Sequence, residues 1–271
     1  MNSIKQIEVL LADRLVGRLA LTKEGLCAFE YAPDWLGSGF SISPFELPLR
    51  SGVFIAKPRP FEGGFGVFDD CLPDGWGLLI VDRYLQQKGI NPRALTLLDR
   101  LALVGSSGRG ALEFRPDHSV VTRQDYADFE KLALEAERIL GSDEYRGKGI
   151  EEFQDRGGSP GGARPKIFAR YEGKEWLVKF RAKRDPQRIV DEYRYSLLAK
   201  ECGIEMPDTR LFEGKYFGVE RFDRTLQGKL HVVSVAGLIG ADYRLPSIDY
   251  KHIFQVCAVL THSVAELWKV Y

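Results

Sequence analysis

The chain has 271 residues, 44% of them hydrophobic, enough for one large domain or two modest ones with a substantial core. Lysine plus arginine (38) balance aspartate plus glutamate (38), so bulk charge gives no argument for nucleic-acid binding, although a local basic patch stays open. Four cysteines (Cys27, Cys71, Cys202, Cys257) and four histidines form no CxxC pair and no zinc spacing, and no run reaches about 18 apolar residues; reduced thiols, no membrane span, no signal peptide and a soluble, cytoplasmic protein are expected.

Residues 4–32 alternate as three antiparallel strands, IEVLLAD, RLVGRLAL and LCAFEYA, with turns at Asp13-Arg14 and Lys23-Glu24-Gly25. Gly17 inside the second run predicts a bulge or a close approach. Ser41–Leu49 is extended and broken by Pro44 and Pro48, and Phe54-Ile55 is short and apolar. FEGGFGVFDDCLPDGWG (61–77) then carries Asp69, Asp70 and Asp74. These read either as a metal or acid–base cluster or, preferably, as caps, with Leu72-Pro73-Asp74-Gly75 opening a helix over Trp76–Gln87. That helix stops at Gly89, and Asn91-Pro92 opens another over Arg93–Leu103.

VGSSGRGALEF (104–114) is a Gly/Ser-rich turn running into a strand. It is an anion nest with Arg109 or, preferably, a loop packed closely on its neighbours. Asp125–Leu140 predicts an amphipathic helix with Phe129, Leu132, Ala133, Ala136 and Leu140 on one face. The polar stretch 141–159 is expected to be nearly core-free and to link two domains, 1–145 and 146–271.

The most informative stretch is GGSPGGARPKIFARYEGKEWLVKFR (157–181). It predicts a Gly-rich turn, a strand over Lys166–Tyr171, a tight turn at Glu172-Gly173 and a second strand over Trp176–Arg181. Glycines let backbone N–H groups close around an anion, which makes Ser159, Gly161, Gly162 and Ala163 a candidate phosphate nest. Neither this turn nor the one at 104–111 matches GxxxxGK[ST] or GxGxxG. Lys179, between Val178 and Phe180, faces away from its apolar neighbours and can reach the same phosphates. Lys166 and Arg164 add positive charge beside the turn.

A helix over Arg188–Cys202 follows, with Val190, Tyr193, Leu197 and Leu198 expected to face a core. It carries two carboxylates able to pair with Lys179, Glu192 and Asp191, and helix phase favours neither decisively. Two strands joined at Glu213-Gly214 come next, the second over Tyr216–Phe222. Strand, strand, helix, strand, strand is the order of a kinase N-terminal lobe, which makes Glu220, Arg221 and Phe222 the candidate hinge. Val219 and Phe222 suit a wall for a nucleotide base or the lobe core. Asp249–Leu260 predicts a helix with Ile253, Cys257 and Leu260 in phase, and Ser263-Val-Ala-Glu266 is a capping box opening a last one.

SPGGARPK, WLVKF, DEYRYSLLAKECGIEMP and VERFDR, in that order and spacing, resemble the HipA family of bacterial serine/threonine kinase toxins of toxin–antitoxin systems. DRLVGRLAL, FGVFDDCLPDGWG, LALVGSSGRGALEF and HVVSVAGLIGADYRLPSIDYKHIF extend the resemblance over essentially the whole chain. It implies an α+β fold: a small N-terminal β/α domain, a kinase-like N-lobe and the start of a helical lobe. It also implies ATP with Mg²⁺, and a protein substrate of the aminoacyl-tRNA synthetase class. Further implications are autophosphorylation of Ser159 and neutralisation by a HipB-type antitoxin, through which alone DNA would be met. By position Lys179 would hold phosphates, with Glu192 as its ion-pair partner, and Glu220–Phe222 would meet the adenine.

The family's catalytic loop, with its base Asp and metal-binding Asn, and its later metal-binding Asp lie beyond the helix that begins near Ser263. Asp223, Asp242 and Asp249 do not replace them, so no catalytic residue or metal ligand is expected within these residues. The 271 residues alone are expected to be catalytically incomplete, with exposed apolar surface on the last helix. The alternative is a non-catalytic module that binds nucleotide or antitoxin.

Overall fold

A computed structural model of the chain describes residues 3–120, 128–142, 145, 147–155, 162–181 and 187–271, so Ser159 and Gly161 lie outside the described residues. The first sheet is antiparallel, in the order β4-β3-β2-β1-β5, built from β1 (Gln6–Leu11), β2 (Arg14–Leu21), β3 (Cys27–Tyr31), β4 (Val53–Ile55) and β5 (Leu112–Arg115). Period-two alternation puts Ile7, Val9, Cys27, Phe29 and Tyr31 inside. Helices α1 (Pro33–Ser38), α2 (Gly66–Asp69) and α4 (Leu97–Val104) complete this core with Trp35, Phe68, Leu98 and Leu101, while α3 (Gly75–Gln87) leaves it.

The register shifts between Val9 and Leu10, and Gly17 lies opposite Val9 and Tyr31. A Cβ on Gly17 would stand 2.3 Å from the Glu30 carbonyl oxygen and 2.7 Å from the Phe29 ring. Gly17→Ala is therefore expected to destabilise the fold by about 1–3 kcal/mol, as overpacking does. An unchanged denaturation midpoint would count against this packing.

The second core draws on segments far apart in sequence. Trp76 and Ile80 of α3 join Phe129, Leu132, Ala136 and Ile139 of α5 (Phe129–Gly141), and Ile150 and Phe153 of α6 (Gly149–Asp155). All pack on the second sheet, β6 (Lys166–Tyr171), β7 (Lys174–Lys179), β8 (Thr209–Phe212) and β9 (Tyr216–Glu220), in the antiparallel order β6-β7-β9-β8. Residues 141–159 are thus not core-free. On α5 the buried residue is Ile139, and Leu140 is exposed.

Both hairpin turns have the positive φ values that two-residue turns require: +50° and +77° at Glu172-Gly173, +51° and +68° at Glu213-Gly214. Between the hairpins, α7 (Gln187–Glu201) packs on β8 and β9 through Ile189 and Ser196; of the expected face Val190 and Tyr193 are half-buried, whereas Leu197 and Leu198 are exposed. The hydroxyl of Ser196 is buried at no loss because it donates to the Tyr193 carbonyl and bonds Thr209 Oγ1 at 2.9 Å. The helix expected over Arg93–Leu103 is split: Pro92–Ala94 is one 3₁₀ turn, and Thr96 and Asp99 form a reciprocal cap that starts α4.

Beyond the second sheet come the hairpin β10 (Arg224–Thr225) and β11 (Gly228–Lys229), then α8 (Val235–Ile239), α9 (Tyr250–Thr261) and α10 (Val264–Val270). Helix α8, not expected from sequence, returns to the first domain. A Cβ on Gly66 of α2 would stand 2.2 Å from the Gly237 carbonyl oxygen. On α9 the buried residue is Val256, not Leu260, and Val264, Trp268 and Tyr271 are exposed. The fold is α+β, with the second sheet and α7 in the strand–strand–helix–strand–strand order of a kinase N-lobe. Among the described residues no helix is long and apolar enough to cross a membrane.

Candidate nucleotide site

Lys179 ends β7, and its neighbours Val178 and Phe180 are fully buried in the second core. Alternation turns Lys179 to the other face, towards α7. Its Nζ lies 2.7 Å from Glu192 Oε2, with both side chains about one quarter exposed (27% and 25%). The choice between the two carboxylates is resolved geometrically, since Asp191 instead accepts from Gln187 and faces Arg194. Phe217, opposite Lys179 on β9, places its ring centroid 5.4 Å from the ammonium.

Directly across from Lys179 on β6 stands a second lysine, Lys166, which is almost buried. Burial, and then the charge of Lys179, lower its pKa to about 8. Like charges opposed across a strand pair are unfavourable alone. Two lysines held this way gain from an anion between or beside them. Lys166 Nζ donates to the Gly162 carbonyl at 3.1 Å.

The described part of the Gly-rich turn touches the first domain. Gly162 N donates to Asp74 Oδ1 at 2.5 Å, Trp76 N donates to the Gly162 carbonyl at 3.1 Å, and Trp76 Nε1 donates to the Lys166 carbonyl at 3.2 Å. Gly75, at φ +46°, lies so close that a Cβ there would stand 2.7 Å from the Gly162 carbonyl carbon. Asp74 occupies the N-cap position of α3, yet its side chain makes no cap hydrogen bond. The cap expected there is therefore replaced by a bond to the turn. Asp70 accepts from the backbone and hydroxyl of Ser234, and burial raises the Asp69 pKa to about 6. No group of three or more His, Cys, Asp or Glu suited to a metal occurs among the described residues, so the metal reading of these aspartates finds no support.

At the candidate hinge, Glu220 accepts from Lys174 at 2.6 Å and Phe222 is 60% exposed, so Phe222 is not lobe core. Strand β9 stops at Glu220, two residues short of the expected end. Arg221 turns inward. Its guanidinium grips both oxygens of Asp223 (3.0 and 2.8 Å), donates to the Gly108 carbonyl and lies 3.9 Å over the Phe168 ring. Its backbone N–H goes to the Glu175 carbonyl. Both the side chain and the N–H of Arg221 are thus taken by protein partners, leaving neither for a nucleotide.

The turn at 105–111 receives this hinge. Gly110 N donates to Asp223 Oδ2 at 2.9 Å, and Arg224 donates to the carbonyls of Gly108 and Gly110 at 2.7 and 2.9 Å. Arg109 does not complete a nest; it donates to the Asp70 carbonyl. The close-packing reading of this turn is the one the geometry supports. Asp74, Asp223 and Gly108–Gly110 were not singled out as a unit from sequence. The glycines and the charges in VERFDR were visible, but their meeting joins segments more than a hundred residues apart.

Residues 7–115 match the HipA N-terminal domain, and residues 158–271 match the HipA-like C-terminal domain. The chain belongs to the HipA family. Among its HipA-family relatives, the serine/threonine-protein kinase toxin HipA of Shewanella oneidensis is 24% identical over 97% of this chain and 57% of its own length. A putative kinase, Y4dM, of Sinorhizobium fredii is 22% identical over 97% of this chain and 67% of its own. A solved structure of Shewanella oneidensis HipA with HipB and operator DNA superposes with a TM-score of 0.61 at 19% identity, covering 97% of this chain and 67% of that one. The HipA fold is therefore shared, and this chain spans 57% and 67% of the length of these two curated relatives.

Proposed function

We propose that this chain carries the ATP-binding part of a HipA-type serine/threonine protein kinase toxin. The observation that carries the reading is the Lys179–Glu192 ion pair at 2.7 Å with the nearly buried Lys166 across the strand pair. Lys179 holds nucleotide phosphates and Glu192 orients it, as in kinase N-lobes. Gly162 and Ala163, with Gly161 of the undescribed stretch before them, are the phosphate-side residues, and Ser159 is the autophosphorylation site. The Glu220 carbonyl and the exposed ring of Phe222 meet the adenine, the Glu220 N–H being bonded to the Asp208 carbonyl, whereas Arg221 braces the hinge.

The phosphoacceptor is a protein of the aminoacyl-tRNA synthetase class, and the control is a HipB-type antitoxin that brings the complex to DNA. The HipB and operator DNA in the solved relative support that partner. The work is placed in the cytoplasm, with the domain division at about residue 145. ATP is used with Mg²⁺, for which no group of three or more His, Cys, Asp or Glu occurs among the described residues. Residues 1–271 alone bind nucleotide without appreciable turnover.

Photolabelling with an 8-azido adenine nucleotide tests the site. The label is expected within the peptide spanning the hinge, 215–224, and excess ADP should remove it. Label confined to other peptides would overturn the assignment. Incubation of residues 1–271 with Mg-ATP should leave Ser159 unmodified by mass spectrometry, and phosphate there would refute the lack of turnover.

A further inference from the structure

We infer that Asp74 is a built-in competitor for the nucleotide's phosphates, holding the Gly162 N–H that a phosphate oxygen would take. The inference rests on the nucleotide site proposed above and adds to it a control supplied by the first domain. Aspartate is among the best N-caps, and a cap bond to the first turn stabilises a helix. At α3 that bond is not made; the carboxylate reaches instead to Gly162, 88 residues further along the chain.

The contact is reinforced on both sides. The Gly162 carbonyl receives Trp76 N–H and Lys166 Nζ, so the turn's donor, its acceptor and the adjacent lysine are all satisfied within the protein. Gly75 permits the backbone approach, since a side chain at φ +46° would collide with Gly162 and Ala163. A phosphate entering this turn meets an N–H already donating to a carboxylate. It also meets a fixed negative charge where it brings its own, and like charges at such range oppose binding. Binding then requires Asp74 to release Gly162, which also frees Lys166 to turn from the Gly162 carbonyl to the ligand.

The test is calorimetric titration of ADP into the 271-residue chain and its Asp74→Ser, Asp74→Asn and Lys179→Ala variants. Serine keeps a good cap and removes both reach and charge. Asparagine keeps the shape should Asp74→Ser fail to fold. Asp74→Ser is expected to bind ADP about tenfold more tightly than the parent, the scale of one charge-assisted hydrogen bond, with Asp74→Asn in between. Equal or weaker binding in both Asp74 variants, alongside loss in Lys179→Ala, would overturn the competitor and leave the site standing. No ADP binding by the parent or by either Asp74 variant, or equal binding by Lys179→Ala, would overturn the site and the competitor together.

Discussion

Lys179→Ala is expected to weaken ATP or ADP binding by about one to two orders of magnitude, taking roughly 1.5–3 kcal/mol for a hydrogen bond to a charged group. The removed ammonium is the group that pairs with Glu192 and stands across the strand pair from Lys166. Its loss also leaves Glu192, about three quarters buried, facing the incoming anion without a counter-charge. Glu192→Gln should recover part of the affinity in the Lys179→Ala background, because it removes that repulsion. Equal binding by parent and Lys179→Ala would end the assignment of this lysine.

Arg221→Ala is expected to be the most destabilising single change at the hinge. The Arg221 and Asp223 side chains are only 5% and 9% exposed, and breaking a buried pair from one side costs about 3–5 kcal/mol. Arg224 still faces Asp223 at 2.8 Å, which places the expected loss near the lower end, about 3 kcal/mol. Lysine cannot restore it, having no planar fork to grip both oxygens and stack over Phe168. Urea unfolding of Arg221→Ala and Arg221→Lys measures this directly, and a midpoint equal to the parent's would refute it.

The same cluster sets an acid limit. Burial opposes ionisation of Asp223, but the hydrogen bonds and charges of Arg221 and Arg224 outweigh it and hold its pKa below the ordinary 3.8. A lowered native pKa adds stability that is present above the unfolded value and is lost as pH falls through the native one. The stability of Asp223→Asn should accordingly vary less with pH below about 4 than that of the parent.

What could be read in the sequence was local. Alternation in RLVGRLAL and KIFARY, and the Glu-Gly pairs at 172–173 and 213–214, state their structure within a few residues, so both sheets were legible. The lysine–glutamate pair was legible because a strand and a helix each have one period to offer. The face of α7 was not, because Ser196 is buried through hydrogen bonds while Leu197 and Leu198 are exposed, against the usual order of apolarity. Nor were Asp74 and Asp223. Asp74 looks like turn chemistry in its own segment yet bonds Gly162, and Asp223, gripped locally by Arg221 and Arg224, also takes the N–H of Gly110 from the other domain.

The two domains exchange helices. Helix α3, early in the chain, belongs to the second core, and α8, late in the chain, closes over α2 of the first with glycine meeting glycine. As the polypeptide leaves the ribosome, the first sheet can form from residues 6–115, but its Gly66 face stays open until residue 237 has emerged. Trp76 likewise waits some ninety residues for the Lys166 carbonyl that its indole N–H bonds. A cut near residue 145 would therefore not yield two free-standing pieces: the first would lack α8, and the second would lack α3 and α5.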